Sequence, residues 1–427
     1  LITSLSGTNN EQVVLDGITL TVGEYLCKYL SASTYSLTAV SGTGASISGT
    51  ASSGSQTGGG AMTVRYIVSN GSEDGSTAFG WGSGLWGQST WGTPRTAGVA
   101  GTQISPRVWS VDAFGEDIIC APAEGTDTAY YIDTSAFEDA KSTYRGTTLK
   151  KYLTDLSLDG SQVPVLCGKV MVSTPDRHVV FFGANTFGTT VFDPLLVRFS
   201  SQEDLATWTP AIENSAGDQR IGTGTKIQTA SKGRGQLLIH TDVDVYSMQF
   251  VGPPFTFAFQ QVSDTAGSIS ENCVSMVEGA AYWMTQNNFY VFDGSVQSLE
   301  CSVHETVFDN LSKNQIEKVT SGTNTKFNEI WWFYPSTNSS TIDKYVIYNY
   351  VDRTWSIGSS LNRTAWNDYN IFAVPLAADT DGYIYEQESG YNNVTTAMTA
   401  FIETGFFNGD EAGNNMYFMD KIIPDTK

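Results

Sequence analysis

Apolar residues in this chain recur in short runs separated by turn residues, and sustained helical spacing is absent. The clearest stretch is Gly279–Leu299, GAAYWMTQNNFYVFDGSVQSL. Ala280–Met284 is one apolar run and Phe289–Phe292 the next, separated by Gln286-Asn287-Asn288. Asn tolerates the left-handed backbone that hairpin turns need, and Asp293-Gly294 is a strong hairpin signal. The pattern predicts a three-stranded antiparallel meander. A sheet with one wet face alternates apolar and polar residues. Here Tyr282, Trp283 and Met284 are consecutive, as are Phe289, Tyr290, Val291 and Phe292, so both faces call for burial. Radial stacking of small meanders, as in a β-propeller, buries both faces. Tyr282, Trp283, Phe289 and Phe292 are therefore expected between neighbouring sheets.

Comparable runs lie in Arg107–Asp133, Arg177–Pro210, Ile227–Phe250, Phe327–Gly358 and Thr364–Glu388. They predict an all-β fold: a β-propeller of about six blade-like meanders at 105–395, with a small N-terminal β module at 1–69. A Gly/Trp-rich loop at 70–104 joins the two, and a C-terminal β extension occupies 396–427. The N-terminal reading rests on the half-exposed alternation of ITLTV, TYSLTAV and MTVRYIV around a Ser/Gly/Thr-rich run. Two short helices are expected, Thr148–Leu158 and Val303–Gln315. No apolar run approaches the ~20 residues that span a bilayer.

Charge narrows the choice of partners. The chain carries 44 acidic against 23 basic residues, a net −21. Gripping DNA depends on basic neutralisation of phosphates, so tight DNA binding is excluded. A wall that lets DNA pass without sticking is compatible with this charge. The five cysteines, Cys27, Cys120, Cys167, Cys273 and Cys301, have no CxxC or zinc-ligand spacing and predict free thiols.

Between Asn70 and Gly101 lies FGWGSGLWGQSTWGTPRT, in which Trp81, Trp86 and Trp91 recur every five residues, each followed by Gly. That period suits neither helix nor strand. Trp is a favoured interface anchor, so these three are candidate subunit-interface residues; folding back on their own domain is the alternative.

With RVWSVDAFGEDIIC after it, this loop resembles the tail nozzle proteins of short-tailed bacteriophages, also called tail tubular protein B or tail hub proteins. SQEDLATWTPAIENSAGDQRIGTG, HTDVDVYSMQFVGPPFTFAF, YWMTQNNFYVFDGSVQSLEC, NEIWWFYPSTNSSTIDKYVIYNYVDRTWSIG and DGYIYEQESGY follow in the family's order. The resemblance runs from about Gly17 to Pro424. Family members carry further β segments on both sides, so the chain is similar to the central portion of such a protein. The resemblance implies a virion structural protein assembled in the bacterial host cytoplasm. It would be a subunit of a homo-oligomeric, hexameric tube that conducts genomic DNA during ejection. Its implied partners are a head-to-tail adaptor ring, tail fibres or tail tip, and duplex DNA in transit without stable nucleic-acid binding. The turns at Asp293 and Asp381 are candidate channel-facing positions, and channel-facing loops are expected to favour Asp and Glu.

Chemistry-bearing motifs are sparse. Asp176 near His178, and Asp242 near His240, are fragments of a triad without a nucleophile elbow. On one strand His240, Asp242 and Asp244 would share a face, a weak metal signal. Ser201–Trp208, SQEDLATW, resembles a degenerate Asp-box turn, whose Asp and Trp have structural roles. Glu116-Asp117 and Glu203-Asp204 are adjacent, which makes poor acid/base pairs. GTGTK at Gly222–Lys226 lacks Walker spacing. Trp331-Trp332-Phe333-Tyr334 reads as inter-blade core, since no basic groove accompanies it to stack bases. No catalytic, cofactor or metal residue is assigned, and the chain is not expected to be an enzyme. The alternative function is a carbohydrate-binding or glycoside-hydrolysing propeller.

Overall fold

The computed structural model describes residues 106–122, 128–134, 147–369 and 371–393, with 74, 75, 125 and short strands within 2–64 and 396–397. Trp81, Trp86 and Trp91 lie outside these residues. Strands in the first 64 residues pair antiparallel, Ile2–Ser6 with Ala61–Val64 and Tyr25–Ser31 with Thr34–Ala39.

Six small antiparallel sheets stand in a ring and form a six-bladed β-propeller. Blade one is Trp109–Phe114, Asp117–Pro122, Tyr130–Ile132 and Thr147–Thr148. Blade two is Cys167–Val172, Val179–Asn185, Phe192–Phe199 and Gly217–Arg220. Blade three is Ile227–Gly233, Gln236–Thr241, Val245–Gly252 and Thr256–Ser263. Blade four is Val274–Val277, Ala280–Met284, Phe289–Phe292 and Val296–Ser298. Blade five is Thr320–Asn324, Glu329–Tyr334, Lys344–Asn349 and Thr354–Ser359. Blade six has three strands among the described residues, Arg363–Asn367, Leu376–Asp379 and Ile384–Glu386. Within each blade the strands pair in chain order, and the first strands of successive blades touch each other around the axis.

The pleat explains why the apolar runs are unbroken. Successive side chains of a strand point to opposite faces. Val179 and Phe181 enter the core shared by blades one and two, while Val180 and Phe182 enter the core between blades two and three. Trp332 and Tyr334 pack toward blade four, and Trp331 and Phe333 pack toward Trp366 of blade six. The WWFY run is therefore inter-blade core on both sides.

The Gly279–Leu299 meander differs in two details from its sequence reading. It is four-stranded, because Val274–Val277 pairs with Ala280–Met284 across Glu278-Gly279. Both turn residues have positive φ, 52° and 89°, the condition for a type I′ hairpin. A single Glu-Gly pair inside VSMVEGAAYWM carries too little turn signal to separate two strands. Trp283, Phe289 and Phe292 are buried, but Tyr282 is half-buried against Tyr348 and Tyr350. The helices are shorter than expected, Leu149–Asp155 and His304–Phe308, the second followed by a 3-10 turn at Ile316–Lys318.

Indole N–H groups tie blades together. Trp283 donates to the carbonyl of Ala266, Trp332 to Cys273, Trp355 to Glu300 and Trp366 to Thr323, at 2.6–2.9 Å. Each bond fastens a blade to its neighbour or to the adjoining connection.

Candidate functional site

The strands nearest the axis carry hydroxyl and charged side chains, and most of these hold other blades. Ser110 Oγ of blade one accepts the N–H of Val170 in blade two at 3.0 Å, and Asp112 Oδ2 accepts that of Val172 at 2.7 Å. Asp112 also receives Lys232 of blade three at 2.6 Å, an ion pair that reaches past blade two. Lys169 of blade two meets Glu271, at the entry to blade four, at 3.4 Å. Lys226 of blade three meets Glu317, at the entry to blade five, at 2.7 Å. These pairs link the inner strands of blades one to three with each other and with the connections that enter blades four and five.

Two cavities lie along the axis. One, of about 420 Å³, is lined by Trp109, Asp112, Lys169, Met171, Lys232 and Asn272, among others. The second, of about 350 Å³, lies on the blade five and six side, beside Glu317, Thr320, Ile342 and Thr364. Trp109 and Asn272 line both. Glu271 is buried, and burial pushes its carboxyl up from the ordinary range against the pull of Lys169. Its Oε2 has no hydrogen-bond partner. At the mouth, Gln315 makes paired amide bonds to Gly75 at 2.9 Å each, and Lys318 reaches Asp74 at 2.5 Å. These contacts fix one point of the chain before the first blade onto the propeller.

The structure completes one triad fragment. His178 Nδ1 lies 2.6 Å from Asp176 Oδ2, and Nε2 lies 3.0 Å from Ser215 Oγ. Burial alone would raise the Asp176 carboxyl, but hydrogen bonds from His178 and Ser173 outweigh it and hold it below its ordinary range. Distances alone would suit a hydrolase, but the surroundings do not. His178 is fully buried in a box of Phe199, Phe250 and Phe257. Ser215 Oγ already accepts the N–H of Gln202 at 2.9 Å and lies 3.4 Å from Ser201 Oγ. The group locks the approach to the fourth strand of blade two. Ser215 carried no sequence signal, because it lies 37 residues from its histidine.

The HTDVD segment is not one strand. The strand ends at Thr241, Asp242–Val243 turn, and Asp244 begins the return. Asp242 caps the Thr225 turn and Asp244 binds Thr241, Thr223 and Gln261. His240 packs edge-on to Trp283, with its imidazole pushed down to about 3 by burial and by the Lys169 charge. Among the described residues, no group of three or more His, Cys, Asp or Glu is arranged to hold a metal ion. Cys120, Cys167, Cys273 and Cys301 are free thiols, and burial raises the pKa of the Cys120, Cys167 and Cys301 thiols.

The Asp-box resemblance is a built turn between the third and fourth strands of blade two. Asp204 Oδ1 accepts the N–H of Ala206 at 2.7 Å, and the buried Trp208 indole donates to Leu205 at 2.8 Å. Asp293 and Asp381 sit on exposed turns at hairpin tips. No described helix is long and apolar enough to cross a membrane.

No family model and no curated protein matches the chain. Solved structures with a similar outline include the extracellular domain of a one-component system of B. thetaiotaomicron, at 9% identity and a TM-score of 0.38. That match covers 66% of this chain and 32% of the other, so the chain spans about a third of that protein. SapL1 lectin in complex with alpha methyl fucoside matches at 9% identity, with 64% and 87% coverage and a TM-score of 0.35. An exported protein from Bacteroides fragilis matches at 6% identity, with 64% and 80% coverage and a TM-score of 0.32. Likenesses this low carry no information about activity or partners.

Proposed function

We propose that the chain is a structural subunit of a ring-shaped assembly of the tail-nozzle kind, in which the propeller is a rigid, non-catalytic wall element. One observation carries this reading. The chemistry-bearing residues of the propeller interior are committed to one another: Lys232 to Asp112, Lys226 to Glu317, and His178 to Asp176 and Ser215. The motif resemblance supplies the kind of assembly. DNA in transit would follow the axis of the ring of subunits. Head-to-tail contacts between identical copies close such a ring. Light scattering tests this: the chain should form a uniform closed oligomer, and replacing Trp81, Trp86 and Trp91 together with Ser should leave a folded monomer that assembles poorly. Unchanged assembly of that variant removes the loop from the interface.

A carbohydrate-binding propeller is the second reading. The specific observation in its favour is the cavity beside Trp109, where an indole stands next to lysine and amide groups. Retention on immobilised glycans tests this reading.

A further inference from the structure

We propose that the axial cavity beside Trp109 binds a neutral saccharide, a site that rests on the carbohydrate-binding reading and gives it a location. The cavity's volume of about 420 Å³ falls in the range of roughly 300–1,000 Å³ typical of small-molecule sites. Its lining combines three complementary groups.

Trp109 is 39% exposed and supplies an apolar ring face, steadied by Tyr130 at 5.9 Å. Lys169 is the second group. Its ammonium has three N–H donors, and its ion pair is a single 3.4 Å contact with Glu271, so donors remain for a ligand oxygen. Asn272 is the third group. It is exposed and lines both cavities; its backbone carbonyl receives Ser321 N–H and its side-chain amide has no protein partner among the described residues. That amide offers one acceptor and two donors.

A sugar hydroxyl can accept from Lys169 and donate to the Asn272 carbonyl oxygen, while the apolar face of the pyranose lies on Trp109. Charge selects a neutral ligand. Lys169 and Lys232 are already balanced by Glu271 and Asp112, so an added anion gains little attraction. Asp112 already accepts from Lys232, Val172 and Ala113, which leaves the free donors of Lys169 and Lys232 and the Asn272 amide as the polar contacts.

Saturation-transfer NMR on the full chain tests the proposal. The probes are methyl glycosides of glucose, galactose, fucose and N-acetylglucosamine at millimolar concentration, with glucuronate and inorganic phosphate as anionic controls. At least one neutral glycoside should receive saturation, and Trp109→Ala and Asn272→Ala should each weaken it by about tenfold or more. Asn272→Ala removes no side-chain hydrogen bond among the described residues, so it keeps the test independent of folding. Binding unchanged in both variants overturns this site and leaves the saccharide reading to another surface. No saturation with any glycoside overturns both. Phosphate or glucuronate binding in preference to every neutral glycoside overturns the ligand class.

Discussion

Trp283 is the side chain whose loss should show most clearly how the blades are joined. None of its surface is exposed. Its indole N–H donates to Ala266, in the connection from blade three to blade four, at 2.8 Å. Its ring meets His240 of blade three edge-on at 4.9 Å and stacks on Tyr290 within its own sheet at 5.9 Å. Trp283→Ala removes the buried volume, a loss of about 3–5 kcal/mol for a large core aromatic. It also strands the fully buried Ala266 carbonyl, which adds about 1–3 kcal/mol. The sum, about 4–8 kcal/mol, overlaps the lower part of total domain stability, about 5–15 kcal/mol. Trp283→Phe keeps much of the ring, loses the donor and should cost about 1–3 kcal/mol. Guanidinium unfolding followed by circular dichroism reads both values from the shift in midpoint at constant slope. Hydrogen exchange on the Phe variant should show faster opening of blades three and four than of blade six. A loss below about 1 kcal/mol for Trp283→Ala would refute the inter-blade role, because a wholly enclosed indole cannot be removed so cheaply.

Three further outcomes are expected. His240 is buried neutral with its pKa pushed down to about 3, so below the ordinary value near 6.5 the unfolded chain takes up the proton first. Stability should then fall with pH by about 1.4 kcal/mol per unit between about pH 6.5 and pH 4, read as a pH-dependent difference from His240→Leu in unfolding midpoints. Asp204→Ala should cost about 0.5–1.5 kcal/mol by freeing the Ala206 N–H, and thermal unfolding should show the loss. Duplex DNA should give no anisotropy change at physiological salt, given 44 acidic against 23 basic residues; micromolar affinity would contradict the wall reading.

The architecture was legible because burial on both faces leaves a mark that alternation does not. Phe289, Trp283 and the Trp331–Tyr334 run announced sheets enclosed on two sides, and a ring of small meanders provides that enclosure. Boundaries were harder where the turn signal was a single pair, as at Glu278-Gly279, and where a strand ends inside a polar run, as at Thr241 before Asp242-Val243. The axial pairs were not legible. Lys232 and Asp112 lie 120 residues apart and meet because blades one and three share the axis. Ser215 was invisible for the same reason, since the third strand of blade two stands between it and His178 in sequence. Adjacent pairs such as His178 and Asp176 could be seen, but only the fold shows that the aromatic box closes over them.

Electron microscopy of the purified chain, with its particle mass, tests the central claim most directly. A closed ring is predicted, of six times 46.2 kDa, with its open lumen between subunits. Particles that stay at one copy, or a lumen running through a single propeller, would contradict the account.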